Sequence, residues 1–316
     1  MPAARERDLL VQAARLYYQD NRSQQEVASA LGVSRSNVSR MLAAARNQGI
    51  VEIRINDPAG REPRLEDELR GAFGLTACRV AAARRHEPAL AAVGSLGADL
   101  LLESARPADG IALSWGRSLR ALVDAVPADR TVPVEVLPLV GGLSSLTSET
   151  AGEELVRDLA GRLGGTHRRL HAPALLATKA SRDTLLAESA VNSVLRTAIG
   201  SSLAFVGIGA VGAGSSAALV DALRLTGRDR ARFEKAGPVG DVCARYFDED
   251  GHPVHGAIED RVLGVTLDDL RRIRTVVGLA AGLEKTRGVL GALRGRHLDV
   301  LVCDAPLAEA LLARAA

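Results

Sequence analysis

From residue 75 onward the chain repeats one pattern: a short apolar or β-branched run, a turn rich in small residues, then a helical stretch. The strand candidates are ACRVAA (77–82), GIALSW (110–115), VEVLPLV (134–140), LAFVGIG (203–209), VCARYF (242–247), IRTVVGLA (273–280) and DVLVCDA (299–305). Helical periodicity lies between them, near 88–104, 117–125, 151–163, 183–199, 216–225, 266–271, 284–294 and 306–314. Strands joined through helices pair in parallel, because each crossover returns the chain to the same end of the sheet. The expected architecture is α/β: a mainly parallel, doubly wound sheet with helices on both faces.

The first 56 residues read differently. Apolar residues at Leu9, Leu10, Ala13, Leu16 and Tyr17 predict a helix from Arg5 to Gln19. Ser23 with Glu26 three residues later forms a capping box for a short helix, Gln24 to Leu31, that stops at Gly32. Val33 follows as a buried turn residue, and Ser34 caps a third helix running to about Asn47, with Gly49 as its stop. IVEIRIN (50–56) then alternates like a strand or wing. Val27, Ala28, Leu31, Val33, Val38 and Leu42 supply the shared core of two crossed helices. That leaves Arg35, Ser36, Asn37, Ser39 and Arg40 facing outward, side chains suited to base edges and phosphates. Ser23, Gln24 and Ser34 add helix N-termini where phosphates can sit. A short polar helical hairpin could share the pattern by chance. Its terminal position, the strand after it and the large body beyond favour a DNA-binding head. Asp57-Pro58-Ala59-Gly60 is the clearest linker, so the expected domains are 1–56, a helix-turn-helix, and 57–316, a large α/β body. A charged amphipathic helix, Pro63 to Phe73, opens the second.

Composition narrows the classes. With 47% hydrophobic and 25% charged residues, and every apolar run broken early, no membrane span is expected. The N-terminus lacks an apolar signal region, and Cys78, Cys243 and Cys303 are too dispersed for a disulfide framework or a zinc site. The cytoplasm is the expected compartment. Net charge is only +2, but residues 1–56 hold eight arginines against five acids, a mildly basic head on a neutral body. Lys179, Lys235 and Lys285 are the only lysines among 40 Lys and Arg, so each is a candidate for a role needing a compact ammonium.

Open α/β sheets bind ligands outside the carboxyl ends of their strands, where four turns stand out. SWGRS places Ser114, Gly116, Arg117 and Ser118 between a strand and a helix, a phosphate-holding arrangement. LVGGLSS brings Gly141 and Gly142 to the next strand end, with a plain flexible loop as the alternative reading. VGIGAVGAGSS resembles a dinucleotide fingerprint, yet Asp221 is too close to act as its acid. Gly207 and Gly209 therefore read as close packing beside a small ligand, and no cofactor is expected. GPVGD and AAGLEK bring a carboxylate, Asp241, and an ammonium, Lys285, to one crevice, a pairing that suits a polar anionic sugar. Turn capping and a solvated first-turn lysine are their bland alternatives. The turn DEDGHPVH reads as a solvated hairpin rather than a metal site, and no nucleophile elbow or carboxylate pair is evident.

With these motifs in order, the chain resembles the SorC family of sugar-responsive regulators, sometimes grouped with DeoR-type deoxyribonucleoside regulators. The resemblance is carried by SWGRS, PLVGG, HAPAL, FVGIGAVG, GPVGDVCARYFDEDGHPV, RVLGVTLDDLRRI, VVGLAAGLEKTRGVLGALRG and DVLVCDAPLAEALL, behind the N-terminal helix-turn-helix. It implies an effector domain similar to the ribose-phosphate isomerase and glucosamine-phosphate deaminase fold, without their catalysis. It also implies a sugar phosphate against Ser114 to Ser118 and Gly141 to Gly142, its hydroxyl end near Asp241 and Lys285. A tetramer, or dimer of dimers, gripping paired sites on double-stranded operator DNA follows likewise. Some members carry lysine or threonine after the PLVGG motif. Here the residues are Leu143-Ser144-Ser145, which leaves a covalent imine at that loop unsupported. The leading expectation is a repressor and not an enzyme. An activator, a sensor of an unphosphorylated polyol and a sugar-phosphate isomerase are the alternatives.

Overall fold

The computed structural model describes residues 2–51, 60–83, 87–143, 151–212 and 214–315. The chain divides into two compact units, Met1–Asn56 and Asp57–Ala316.

The N-terminal unit contains α1 (Pro2–Ala14), α2 (Gln24–Leu31) and α3 (Arg35–Asn47). A π-helical turn, Arg15–Gln19, continues α1, so the first helix starts earlier than its apolar pattern predicts and ends in a widened turn. The capping box forms: Ser23 N–H donates to Glu26 Oε2 at 2.8 Å, and Glu26 N–H donates to Ser23 Oγ at 3.3 Å. Those bonds hold the Glu26 carboxyl below its ordinary range. Gly32 adopts φ 66°, and Ser34 Oγ accepts Asn37 N–H at 3.2 Å. Ala13, Val27, Ala28, Val38 and Leu42 form the core, with Leu16, Tyr17 and Leu31 packed against it. Val33 is half-buried rather than buried, because the turn lifts it to the rim of that core. Of the expected wing, residues 52–56 lie outside the described residues, as do 57–59 of the linker.

The second unit runs α4 (Pro63–Phe73), β1 (Ala77–Ala81), α5 (Ala89–Ser104), β2 (Gly110–Leu113), α6 (Arg117–Ala125), β3 (Glu135–Pro138), α7 (Gly152–Leu163) and β4 (Thr166–His167). It continues α8 (Lys179–Ala187), α9 (Ser189–Ile199), β5 (Leu203–Gly207), β6 (Gly209–Ala210), α10 (Gly214–Ala222), α11 (Gly227–Lys235), β7 (Gly240–Val242) and β8 (Arg245–Phe247). It closes with α12 (Leu267–Leu270), β9 (Val276–Ala280), α13 (Thr286–Arg294), β10 (Val300–Asp304) and α14 (Ala305–Leu312). Seven strands form a sheet ordered β1-β10-β9-β5-β2-β3-β4, parallel throughout. Its strands read as nearly continuous apolar runs because both faces are covered. Ile111, Leu113 and Phe205 join α5, α6 and α7 on one face, while Ala112, Ala204 and Val206 join α9, α13 and α14 on the other.

Three sequence expectations need correction. VCARYF is not one strand but the antiparallel hairpin β7–β8, which joins β6 in a separate three-stranded sheet. Cys243 at φ 53° and Ala244 at φ 62° make its two-residue turn, a geometry that glycine or asparagine usually announces. The 183–199 stretch is two helices, since Glu188 leaves the helical region (φ −64°, ψ 128°) between α8 and α9. Helix α11 was unforeseen because GRDRARFEK buries only Phe233 and so carries little periodicity.

Arg245 locks the second sheet to the first. Its buried guanidinium donates to the carbonyls of Val265 and Gly264 at 3.0 Å, Glu259 at 3.0 Å and Val262 at 3.3 Å. The segment it clamps pairs with the end of β3, through Val265 N–H to Leu139 O at 2.9 Å.

Candidate functional site

A cleft opens beyond the carboxyl ends of β2 and β5. It is bordered by Ser114, Gly116, Arg117, Ser118, Gly207, Gly209, Asp241 and Lys285, so three of the four singled-out turns, with the GPVGD strand, meet in one place. Leu90, Trp115, Ile208, Ser216, Leu219, Cys243 and Ala281 complete the lining. Sequence reasoning missed them. Leu90 and Leu219 fall within helical stretches, and Cys243 reaches the cleft only through the unforeseen hairpin.

One side of the cleft is formed by the turn from β2 into α6. Gly116, at φ 114° and ψ 172°, turns the chain from β2 into α6, a conformation that favours glycine. No side chain caps α6, so the amides of its first turn point out unclaimed by a capping side chain. Ser114 is buried and its Oγ accepts Gly207 N–H at 3.2 Å, tying β2 to β5. Arg117 is exposed and Ser118 half-buried at the rim. Lys285 is half-buried at the end of the 3-10 turn Leu283–Lys285, its N–H donating to Gly282 O at 3.1 Å, and its ammonium makes no hydrogen bond or ion pair among the described residues. Burial lowers its ammonium pKa, Asp241 and Glu284 oppose that shift, and Arg117 adds to it.

The other end is a buried carboxyl. Asp241 sits inside β7, not at a turn, and is 6% exposed. It lies opposite Gly209 in the β6–β7 ladder, where an added Cβ would fall 1.8 Å from Asp241 Oδ1. That oxygen has no hydrogen-bond partner among the described residues. Burial pushes the carboxyl upward, against the Ser216 hydroxyl, the Lys285 charge and the Ala244 amide. Tyr246 lies behind it, donating to Ser216 O at 3.0 Å, its phenol pushed up by burial and by Asp241.

Gly141 and Gly142 do not join this cleft. Gly141 N–H donates to Leu263 O at 3.1 Å and Gly142 N–H to Ala172 O at 3.0 Å, so neither amide is free for a phosphate. A Cβ at Gly141 would fall 2.6 Å from Ala172 O, so the glycine serves close backbone packing. Gly142 lines a more open depression with Leu143 and His171, and Ser144 and Ser145 of that loop lie outside the described residues. In the DEDGHPVH turn, Asp248, Asp250 and His252 bring ligand atoms within 4.8 Å of one another. Asp248 Oδ1 already accepts the amides of Asp250 and His252 at 3.0 and 2.8 Å, which accounts for the turn without an ion.

On the N-terminal unit, Ser34, Arg35, Ser36, Asn37, Ser39 and Arg40 are all exposed along α3. Arg40 donates to Asn37 Oδ1 at 2.5 Å, and Ser34 and Ser36 hydroxyls lie 2.9 Å apart. Ser23 is exposed and Gln24 half-buried at the start of α2.

A helix-turn-helix unit joined to a doubly wound sheet with a polar cleft at its strand ends defines a ligand-responsive DNA-binding regulator. Residues 57–313 match a family model described as "Putative sugar-binding domain", and residues 9–60 match a Crp-like helix-turn-helix domain. The chain belongs to the SorC/DeoR-type family of sugar-binding transcriptional regulators. It is 33% identical over 312 residues to the sorbitol operon regulator of Klebsiella pneumoniae, covering 96% of this chain and 97% of that one. It is 29% identical over 311 residues to the deoxyribonucleoside regulator of Bacillus subtilis, covering 96% and 97%. The crystal structure of the full-length Klebsiella regulator superposes with a TM-score of 0.74 at 32% identity, covering 96% of this chain and 98% of that one. No helix among the described residues is long and apolar enough to cross a membrane.

Proposed function

We propose that this regulator is a cytoplasmic repressor whose operator affinity is set by a small sugar phosphate held in the cleft. The observation carrying this reading is the polarity of the cleft. Uncapped amides of α6, with Arg117, favour a phosphate at one end, and Lys285 lies within electrostatic reach of both Arg117 and Asp241. The unpartnered Asp241 oxygen favours sugar hydroxyls at the other. The names of the sorbitol and deoxyribonucleoside regulators are in keeping with sugar-derived ligands. Ser114, Gly116, Arg117, Ser118, Gly207, Gly209, Asp241 and Lys285 form the proposed contact set. The isomerase alternative is weaker, because Glu284 is exposed and Asp241 is the only buried acid lining the cleft among the described residues.

A thermal-shift comparison of sorbitol, sorbitol 6-phosphate, deoxyribose 5-phosphate and inorganic phosphate tests the effector. A phosphate ester at a hundred times its Kd adds about 2.7 kcal/mol, a rise of about 5–10 °C for a unit of this size. Stabilisation by free sugars alone would overturn the phosphate reading, and turnover of the stabilising compound would favour the enzyme.

Ser34, Arg35, Ser36, Asn37, Ser39 and Arg40 are the proposed reading face, with Ser23 and Gln24 against phosphates. Arg35 has no side-chain partner among the described residues, which leaves its fork free for a guanine edge. Arg35→Ala is expected to weaken binding to an in-vitro-selected operator by about 10- to 100-fold, with non-specific binding nearly unchanged. Unaltered selectivity in a fluorescence-anisotropy titration would mean another residue reads the base. A tetramer or dimer of dimers is the proposed assembly, matching paired operator half-sites. Sedimentation of the full-length protein tests it.

A further inference from the structure

A continuous run of backbone and carboxylate hydrogen bonds joins the cleft to the segment that follows the linker. Gly282, at φ 98°, precedes the 3-10 turn that carries Lys285, and its N–H donates to Asp304 Oδ1 at 2.9 Å. Asp304 is buried at the end of β10 and stands at the N-cap of α14. Its side chain does not cap that helix, the usual use of aspartate there, but is turned to Gly282 instead. In the parallel ladder Asp304 faces Ala81, the last residue of β1. The far edge of β1 is covered by the first described residues after the linker. Arg61 forms an antiparallel bridge with Ala81, Ala82 N–H donates to Gly60 O at 2.9 Å, and Glu62 N–H donates to Val80 O at 2.9 Å.

That edge is fastened by a buried acid. Glu66, 5% exposed, accepts Val80 N–H at 2.9 Å on the same oxygen that accepts Arg61 Nε at 2.9 Å. Arg61 Nη2 donates to its other oxygen, making the pair bidentate. An edge strand must have its outward amides satisfied, and a helix or loop commonly does this. Here the covering strip is the part of the chain that leads back to the N-terminal unit.

We infer that Asp304 and the Arg61–Glu66 pair are positioning residues that couple the Lys285 turn to the anchorage of residues 60–62. The inference rests on the effector reading only for its biological use, since every bond in the run lies within the protein itself. A ligand drawing on Lys285 displaces the turn at Gly282. The strain reaches β10 through Asp304 and the strip through Ala81. Close-packed strands pass such a displacement on rather than absorbing it.

Residue-resolved hydrogen exchange on the full-length, ligand-free protein tests this, because coupling between two places is reciprocal. Asp304→Ala is expected to speed exchange of the Glu62 and Ala82 amides by about tenfold, and Arg61→Met to speed the Gly282 amide by a similar factor. The amides of Ala112 and Val136, in central β2 and in β3, should keep wild-type rates. Asp304→Asn, which retains an acceptor oxygen, should restore slow exchange at Glu62 and Ala82. Acceleration confined to each variant's own end overturns the inference, as does an asparagine variant that behaves like the alanine one. If Asp304→Ala does not fold, Arg61→Met read at Gly282 decides alone. Since no ligand is added, failure here leaves the sugar-phosphate reading standing.

Discussion

Gly209→Ala is expected to remove effector-dependent stabilisation while leaving the seven-stranded sheet in place. A methyl group there falls 1.8 Å from Asp241 Oδ1 and 2.7 Å from Asp241 Cγ, distances no side chain tolerates. Either Asp241 rotates out of the cleft or β6 parts from β7. Both movements take away the oxygen proposed to meet a sugar hydroxyl. Leaving a hydroxyl without its built partner costs a ligand roughly a hundredfold or more in affinity. In the thermal-shift assay the rise of about 5–10 °C should fall below about 2 °C. Asp241→Asn separates shape from charge. It is nearly isosteric and removes a buried carboxyl whose ionisation burial opposes. The variant should therefore be at least as stable as the wild type without ligand, yet bind the sugar phosphate more weakly. The sign follows from linkage. A raised carboxyl pKa confers stability that is complete below the ordinary value of 3.8 and is lost as pH rises through the folded value. The advantage of asparagine should consequently be larger at neutral pH than in acid. If Gly209→Ala keeps the full ligand shift, Asp241 does not touch the effector.

Arg245→Met is the second large effect, and it falls on stability. Arg245 is 3% exposed and faces four carbonyls rather than a carboxylate. Burial lowers its pKa, the mark of a cation kept out of water. Methionine would relieve that desolvation but leave the carbonyls of Val262, Gly264 and Val265 without their donor, while Glu259 O keeps Arg182 Nη1 at 3.4 Å and Val262 N–H at 3.3 Å. Each unsatisfied buried carbonyl costs about 1 kcal/mol or more. The relief of desolvation offsets part of the sum, so the net loss is about 3 kcal/mol. A drop in Tm of about 6–12 °C follows for a unit of this size. Arg245→Lys should recover part of it, because an ammonium supplies three donors but lacks the planar fork. A methionine variant as stable as the wild type in denaturant titration would show that the carbonyls find other partners.

Much of the architecture was legible because it rests on short-range physics. Ser23 and Ser34 cap their helices because a hydroxyl three residues upstream is within reach of an orphan amide. The strand runs declare a two-sided parallel sheet because both faces must be apolar to be covered. The α6 turn was equally legible, since Ser114, Gly116 and Ser118 lie within five residues of one another.

Where the chain departs from that legibility, non-local contact is the cause. Gly141 and Gly142 resemble a phosphate loop in sequence, and only the approach of Ala172 and Leu263 shows their amides already bonded. Arg245 lies within the VCARYF run, and only the folding of residues 259–265 over it shows its guanidinium buried against their carbonyls. The sequence by itself determined the capped N-terminal helices, the sheet class and the presence of polar turns at strand ends, because local capping and periodicity carry those. Tertiary structure alone decided that Asp241 is buried in a strand against Gly209, that Asp304 turns from its own helix to Gly282, and that Arg61 covers the β1 edge. Those outcomes depend on which segments meet across the fold, and residue spacing along the chain does not encode that directly.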